Sequence, residues 1–219
     1  MDYLNILTAE MSAITLTLKL SLVTCIFLFF IGTPISLYLA FKKNKIIPIF
    51  ESLVTLPLVL PPTVIGFYLL VFFNPESVLG KFFITITGEQ LAFSFSGLVF
   101  ASIFYSLPFW VQPLQNSFEK IDKKILEAGT NMGASSLDLL LKIILPSCKR
   151  GFLTAFILSF AHTIGEFGIV LMVGGNIQNK TRVLSISIYD HVEQLSYQHA
   201  HFLSIFLIFF SFFILLLLY

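Results

Sequence analysis

Ser159, His162 and Glu166 fall at i, i+3 and i+7, with Thr163 beside them, in a stretch that is otherwise apolar. That spacing lines their polar atoms along one stripe of a helix. An imidazole and a carboxylate so placed raise the reading of a membrane-embedded hydrolase such as a protease. The order is H-x-x-x-E, not the H-E-x-x-H of zinc peptidases, and no other catalytic set appears. A carboxylate inside a membrane span costs about 3 kcal/mol unless it is paired or wet. Glu166 is therefore a candidate by position alone. A second polar group, Asp190, His191, Glu193, His199 and His201, invites a metal-ion reading. His199 and His201 are two apart and do not share a helix face. No structural-zinc ligand spacing is present, so a solvated loop with interfacial histidines is the expectation, with no metal.

These residues sit in a chain of 219 residues that is 57% hydrophobic and 11% charged. Soluble domains carry about 25% charge, so the bilayer is the relevant solvent. The net charge of +1 gives no reason to expect nucleic acid. Cys25 and Cys148 make no disulfide framework; they read as an apolar filler and a boundary residue. Asp2 and Glu10 precede the first apolar run without a basic flank, so the start is not read as a cleavable signal.

Five apolar runs are long enough to cross about 30 Å of hydrocarbon as helices. They lie near 13–41, 49–73, 91–112, 151–173 and 201–218. Helices are required because every backbone polar group must be paired internally; a β-barrel would show strict alternation, which is absent. Nine of the thirteen basic residues fall in the first and third connections, and three in the second and fourth. Lys19 sits in the first span and can snorkel. This asymmetry predicts the N-terminus outside, the third connection in the cytoplasm and a multi-pass protein of the cytoplasmic (inner) membrane. The second run is interrupted by Pro57, Pro61 and Pro62. Each removes a helix hydrogen bond and clashes with the preceding turn. A broken helix lining a path and a simple packing kink both satisfy this pattern.

The third connection, within 118–146, splits into two helices. Phe118, Ile121, Ile125, Ala128 and Met132 follow spacings of three and four and predict one apolar face. Gly133 ends that helix, because the left-handed conformation is cheapest for glycine. Ser135 with Asp138 reads as a capping box opening the second helix. Its apolar face is Leu137, Leu140, Leu141, Ile144 and Leu145, and Pro146 marks the return. Two amphipathic helices lying on headgroups would have the same composition.

The spacing goes further than composition. Glu127-Ala128-Gly129, three residues, Gly133, nine residues, then Ile143-Ile144-Leu145-Pro146 resembles the coupling motif of ABC-transporter permeases, E-A-A, x3, G, x9, I-x-L-P. Gly129 replaces the family's second alanine. TLKLSL in the first run, LPLVLPPTVIGF in the second, GEFG, and GGNI with KTRVLSISIY resemble the molybdate-type permeases, whose relatives move tungstate and sulfate. The resemblance implies an all-α membrane protein of five spans with coupling helices, in the ABC type-1 (MetI-like) fold, as a single domain over 1–219. It implies a non-enzymatic pathway subunit that works as a homodimer and binds no cofactor. Its partners would be an ATP-binding subunit on the cytoplasmic side and an extracytoplasmic oxyanion-binding protein. The chain has no G-x-x-x-x-G-K-[ST] phosphate loop, so ATP hydrolysis would lie in another subunit. Molybdate is the expected substrate, with tungstate or sulfate the alternatives. An ion-coupled secondary transporter would call for paired intramembrane acids or inverted repeats, which are not evident.

An oxyanion path should offer hydroxyls and backbone N–H groups. Thr63, Ser106, Ser159 and Thr163 are the hydroxyl candidates, set against simple back-bonding to a helix carbonyl. An ionised Glu166 would repel a dianion. Its expected work is to hold the backbone at Gly165 and Gly168 or to pair across a subunit interface. The loop Gly174–Ala200 is the expected docking surface for the binding protein.

Overall fold

The computed structural model describes residues 10–218, so the reading of Asp2 lies outside the described residues. All regular structure among them is helical. The first helix, α1 (Met11–Phe41), is 31 residues long, about 46 Å. Its apolar sequence carries hydroxyls that donate back to the preceding turn: Thr17 to the Ala13 carbonyl, Ser21 to Thr17 and Ser36 to Gly32. Such bonds let polar side chains sit in an apolar helix without an unpaired proton.

The next two helices correspond to the run 49–73, which is not one helix. They are α2 (Ile47–Thr55) and α3 (Pro62–Phe73), joined through a 3-10 turn at Leu56–Leu58 and bent by 105°. Pro62 forces the residue before it out of the helical region, and Pro61 has ψ 137°. Pro62 itself occupies the first position of α3, where a missing N–H costs nothing. A short helix absent from the expected spans follows, α4 (Val78–Thr87), opened by the Ser77 hydroxyl and closed by Gly88. At ten residues it is too short to cross hydrocarbon.

The central helix is α5 (Phe95–Glu119), capped by Ser94. The amphipathic segment follows as α6 (Lys123–Asn131) and α7 (Ser136–Ser147). Next come α8 (Lys149–Gly165) and α9 (Gly168–Gly174). The expected fourth span, 151–173, is therefore interrupted at Glu166 and Phe167. The chain closes with α10 (Leu184–Glu193) and α11 (Tyr197–Leu216). Three helices, α1, α5 and α11, are long and apolar enough to cross a membrane singly. The number becomes five if the bent pairs α2–α3 and α7–α8 each count as one span.

The core forms where α1, α5 and α8 meet. Cys25, Leu28, Trp110, Leu114, Phe118 and Ala155 are buried there. Cys148 joins the same cluster, its thiol directed at the Ser117 carbonyl. A second cluster, with Leu20, Leu98, Val170 and Ile186, ties α9 and α10 to α1 and α5. A third, with Ile65, Phe73, Ala101 and Ile169, seats α3 against α5 and α9. The two broken helices thus lie side by side. Lys19 is exposed and places its ammonium 4.8 Å from the centre of the Phe95 ring, a cation–π contact.

Candidate functional site

Neither α6 nor α7 has a buried residue. Helix α6 begins one turn later than the apolar spacing suggests. Phe118 is fully buried at the end of α5 and Ile121 lies in the connecting turn, so neither belongs to the face of α6. The start is fixed by Asp122, whose carboxylate accepts from the Lys124 N–H at 2.9 Å, an N-cap bond. The end is fixed by Gly133. Its φ of +83° lies in the left-handed region, its N–H donates to the Thr130 carbonyl, and the Ala134 N–H donates to the Gly129 carbonyl. These two bonds are the Schellman closure.

Helix α7 opens on Ser135, whose hydroxyl accepts from the Asp138 N–H and donates to the Asp138 carboxylate. The expected capping box forms, the Asp138 carboxylate reaching back to the Ser135 backbone N–H, with the hydroxyl–carboxylate contact added to it. Lys142, one turn on, also pairs with Asp138. These two donors hold the Asp138 carboxyl down at about 2. A π turn at Leu140–Ile144 follows, with the Leu145 N–H bonded to the Leu140 carbonyl. The widened turn falls immediately before Pro146, which cannot donate and crowds the turn before it.

The two helices meet at Gly129, which faces Leu139 and Ile143. A Cβ on Gly129 would stand 2.6 Å from the Leu139 Cδ2, so the missing methyl at the third motif position is filled by leucine. The outer surface keeps Ile125, Met132, Leu137 and Leu141 exposed, Met132 at 87%. Glu127 and Ala128 are exposed, while Ile143 and Leu145 are half-buried. The result is a capped projection with apolar side chains that its own chain leaves uncovered.

The hydroxyl candidates divide. Ser106 on α5 contacts His162 Nδ1 and Thr163 Oγ1, both at 3.0 Å, and Thr163 donates to the Ser159 carbonyl at 2.8 Å. Counting hydrogens orders the chain: His162 Nδ1–H to Ser106, Ser106 to Thr163, Thr163 to the carbonyl. Each hydrogen is then used once, and Nε2 of a neutral His162 is left as an acceptor. The ring stacks on Phe109 at 4.0 Å between centroids and lies 5.0 Å from Tyr105. Ser159 is fully buried, and its own hydroxyl has no partner among the described residues. Thr63 is apart from this cluster, exposed in the first turn of α3.

Glu166 lies at the break between α8 and α9. Its Oε1 accepts from the Ile169 N–H at 3.0 Å, and its carbonyl accepts from the Ser185 hydroxyl at 2.6 Å. Two backbone groups released by the break are thereby paired. A Cβ on Gly168 would meet Pro62 Cβ at 2.7 Å. The elbow of the second broken helix therefore rests against that of the first.

The loop after α9 is not a solvated loop. Arg182 pairs with Asp190 at 2.9 Å and stands 3.8 Å from Glu10, while His191 Nε2 lies 3.1 Å from Glu10. The four side chains are 13–17% exposed. Asn176 and Gln194 donate to Asp190, and Ser187 donates to Glu10. His191 stacks on His199. Sequence reading missed this network because Glu10 and Arg182 are far apart in the chain.

The family described as "Binding-protein-dependent transport system inner membrane component" matches residues 32–219. The chain belongs to that family. It is 47% identical to the "Molybdenum transport system permease protein ModB" of Azotobacter vinelandii over 96% of this chain and 93% of the relative. It is 33% identical to the "Probable sulfate transport system permease protein cysT" of Chlorella vulgaris over 85% and 70%. Among solved structures, a chain of the inward-facing "MetNI methionine ABC transporter" superposes with a TM-score of 0.75 at 17% identity, covering 100% of this chain and 96% of that one. The fold is that of the ABC type-1, MetI-like permeases. As a member of this inner-membrane family, the chain is a multi-pass transport component rather than an enzyme.

Proposed function

We propose that this chain forms the membrane pathway for molybdate in an ATP-driven importer, as one half of a homodimer. The observation that carries the reading is the α6–α7 projection. It is capped at Asp122, Gly133 and Ser135, bears the E-A-G, G, I-I-L-P motif, and presents exposed Ile125, Met132, Leu137 and Leu141. A stiff apolar projection suits insertion into a cleft of a separate ATP-hydrolysing subunit, because a capped helix transmits displacement and a slack loop would not. The basic asymmetry supports a cytoplasmic projection with the N-terminus outside.

An extracytoplasmic binding protein would deliver the anion at 174–200, where the Arg182 network gives the loop a fixed shape. The nearly full-length match to the ModB relative favours molybdate over sulfate. Of the four candidate hydroxyls only Thr63 is exposed to a passing oxyanion; Ser106, Ser159 and Thr163 are buried, with the Ser106 and Thr163 hydrogens already given within the chain, and Glu166 serves the backbone. The test is uptake into vesicles holding this chain, its ATP-hydrolysing subunit and its binding protein. Molybdate uptake should require ATP and all three, and sulfate should compete poorly. Uptake driven by an ion gradient without ATP would overturn the reading.

A further inference from the structure

At the end of the molecule where α1 gives way to α2 and α5 gives way to α6 lies a cavity of about 720 Å³. Its floor is apolar, made by Leu39, Ile47 and Phe118, all buried. Its rim carries Lys42, Lys43, Lys45 and Lys123. None of the four has a hydrogen bond or ion pair from its side chain among the described residues. Two carboxylates also line the cavity, Glu51 and Glu119, but both accept from the Gln115 amide, at 2.7 and 3.0 Å. A neutral amide does not cancel the carboxylate charges, so the four lysines outnumber the two acids by two, and neither acid is paired with any of them among the described residues. The lysine turn has a set shape: the Asn44 side chain accepts from the Ile46 and Ile47 N–H groups and fixes the entry to α2. Phe41, which also lines the cavity, and Ile46, Ile49 and Phe50, close to it in the chain, are exposed apolar residues.

We infer that this cavity binds a phosphate group, and that its source is the headgroup of an anionic phospholipid. A ring of unpaired lysines over an apolar floor, beside apolar side chains at the edge of the hydrocarbon, matches a molecule with a phosphate and acyl chains. A soluble phosphate would use the lysines but not the apolar flank. The bound headgroup bridges the end of α1 and the first turn of α6. It thereby joins the membrane to the base of the α6–α7 projection. The inference does not depend on the transported anion.

The test uses the full chain in vesicles of phosphatidylcholine alone or with phosphatidylglycerol. The rate of acetylation is read at each lysine, and retained lipid is counted by native mass spectrometry. Phosphatidylglycerol should slow acetylation several-fold at Lys42, Lys43, Lys45 and Lys123 but not at Lys81 or Lys180. Lys123→Gln should cut lipid retention about fivefold, the effect of about 1 kcal/mol per surface lysine, and Lys123→Arg should restore it. The same comparison with Lys43→Gln guards against a folding fault in either variant. Inorganic phosphate giving equal protection in phosphatidylcholine vesicles would keep the phosphate site and overturn the lipid source. Slowing that is equal at all lysines would overturn the site, since it would report only surface potential. Protection that appears only with the ATP-hydrolysing subunit would overturn it in favour of a protein contact.

Discussion

Gly129 and Leu139 meet so closely that a methyl group on the glycine would lie 2.6 Å from the leucine Cδ2. This contact joins the two helices of the projection and gives a physical reason for glycine at a position where the coupling motif it resembles has alanine. The neighbour is the end of a flexible side chain, so Gly129→Ala should be mild and Gly129→Val should splay α6 from α7. Adding Leu139→Ala to Gly129→Val should recover most of the lost coupling between ATP hydrolysis and uptake. A double-mutant cycle measures this directly; strictly additive losses would show that the contact does not matter.

Gly133→Pro should abolish that coupling while leaving membrane insertion intact. The position has φ +83° and donates its N–H to Thr130; proline can provide neither. Gly133→Ala should cost about 1 kcal/mol in a left-handed turn and give a partial defect. Normal coupling by the proline variant in reconstituted vesicles would contradict this account of the projection.

The Asp138 carboxyl titrates at about 2 rather than its ordinary 3.8, because Lys142 and Ser135 donate to it. Its folded value is depressed, so its contribution to the start of α7 is complete above the ordinary carboxylate range and fades as pH falls toward 2. The cap should thus be indifferent to pH throughout the physiological range. Carboxyl NMR should place the midpoint near 2, and Lys142→Gln should raise it toward 3.8. An unchanged midpoint in that variant would remove Lys142 from the explanation.

Glu166→Gln should retain uptake, since a carboxamide oxygen can still accept from the Ile169 N–H. Glu166→Ala should cost about 1 kcal/mol, in the range of a lost helix cap, with faster hydrogen exchange at Ile169. Loss of uptake in the glutamine variant, with assembly and stability unchanged, would assign the carboxylate a direct role in the pathway.

Arg182→Gln leaves Glu10 and Asp190 as neighbouring acids, 13% and 17% exposed. Removing one partner of a buried ion pair costs about 3–5 kcal/mol, and the residual exposure favours the lower end. Thermal unfolding should show the drop, and raising salt should narrow it. An unshifted midpoint would mean the network is decorative.

The sequence marks local events well and distant ones poorly. Gly133, Ser135 and Pro146 announce the ends of α6 and α7 because caps and breakers act within one turn. The triple-proline segment likewise signals an interruption, though not the 105° angle, which is set by packing against α5 and α9. The register of Phe118 and Ile121 misleads because apolar spacing continues from α5 across the turn, and only Asp122 marks the true start. Helix α4 is flanked by a serine cap and a terminal glycine, both visible, but its ten residues fail a test of membrane length. The pairing of Glu10 with Arg182 and His191 leaves no local trace, and neither does the meeting of Ser106 with His162.

The contact between Pro62 and Gly168 sets two elbows against one another, one in each interrupted helix. A straight rod adapts to a thinner bilayer only by leaning, which drags everything fastened to its far end. A jointed one can swing its outer limb and leave the inner limb still. Paired joints would swing together, so thinning or thickening of the surrounding lipid would be taken up at this hinge before it reached the α6–α7 projection.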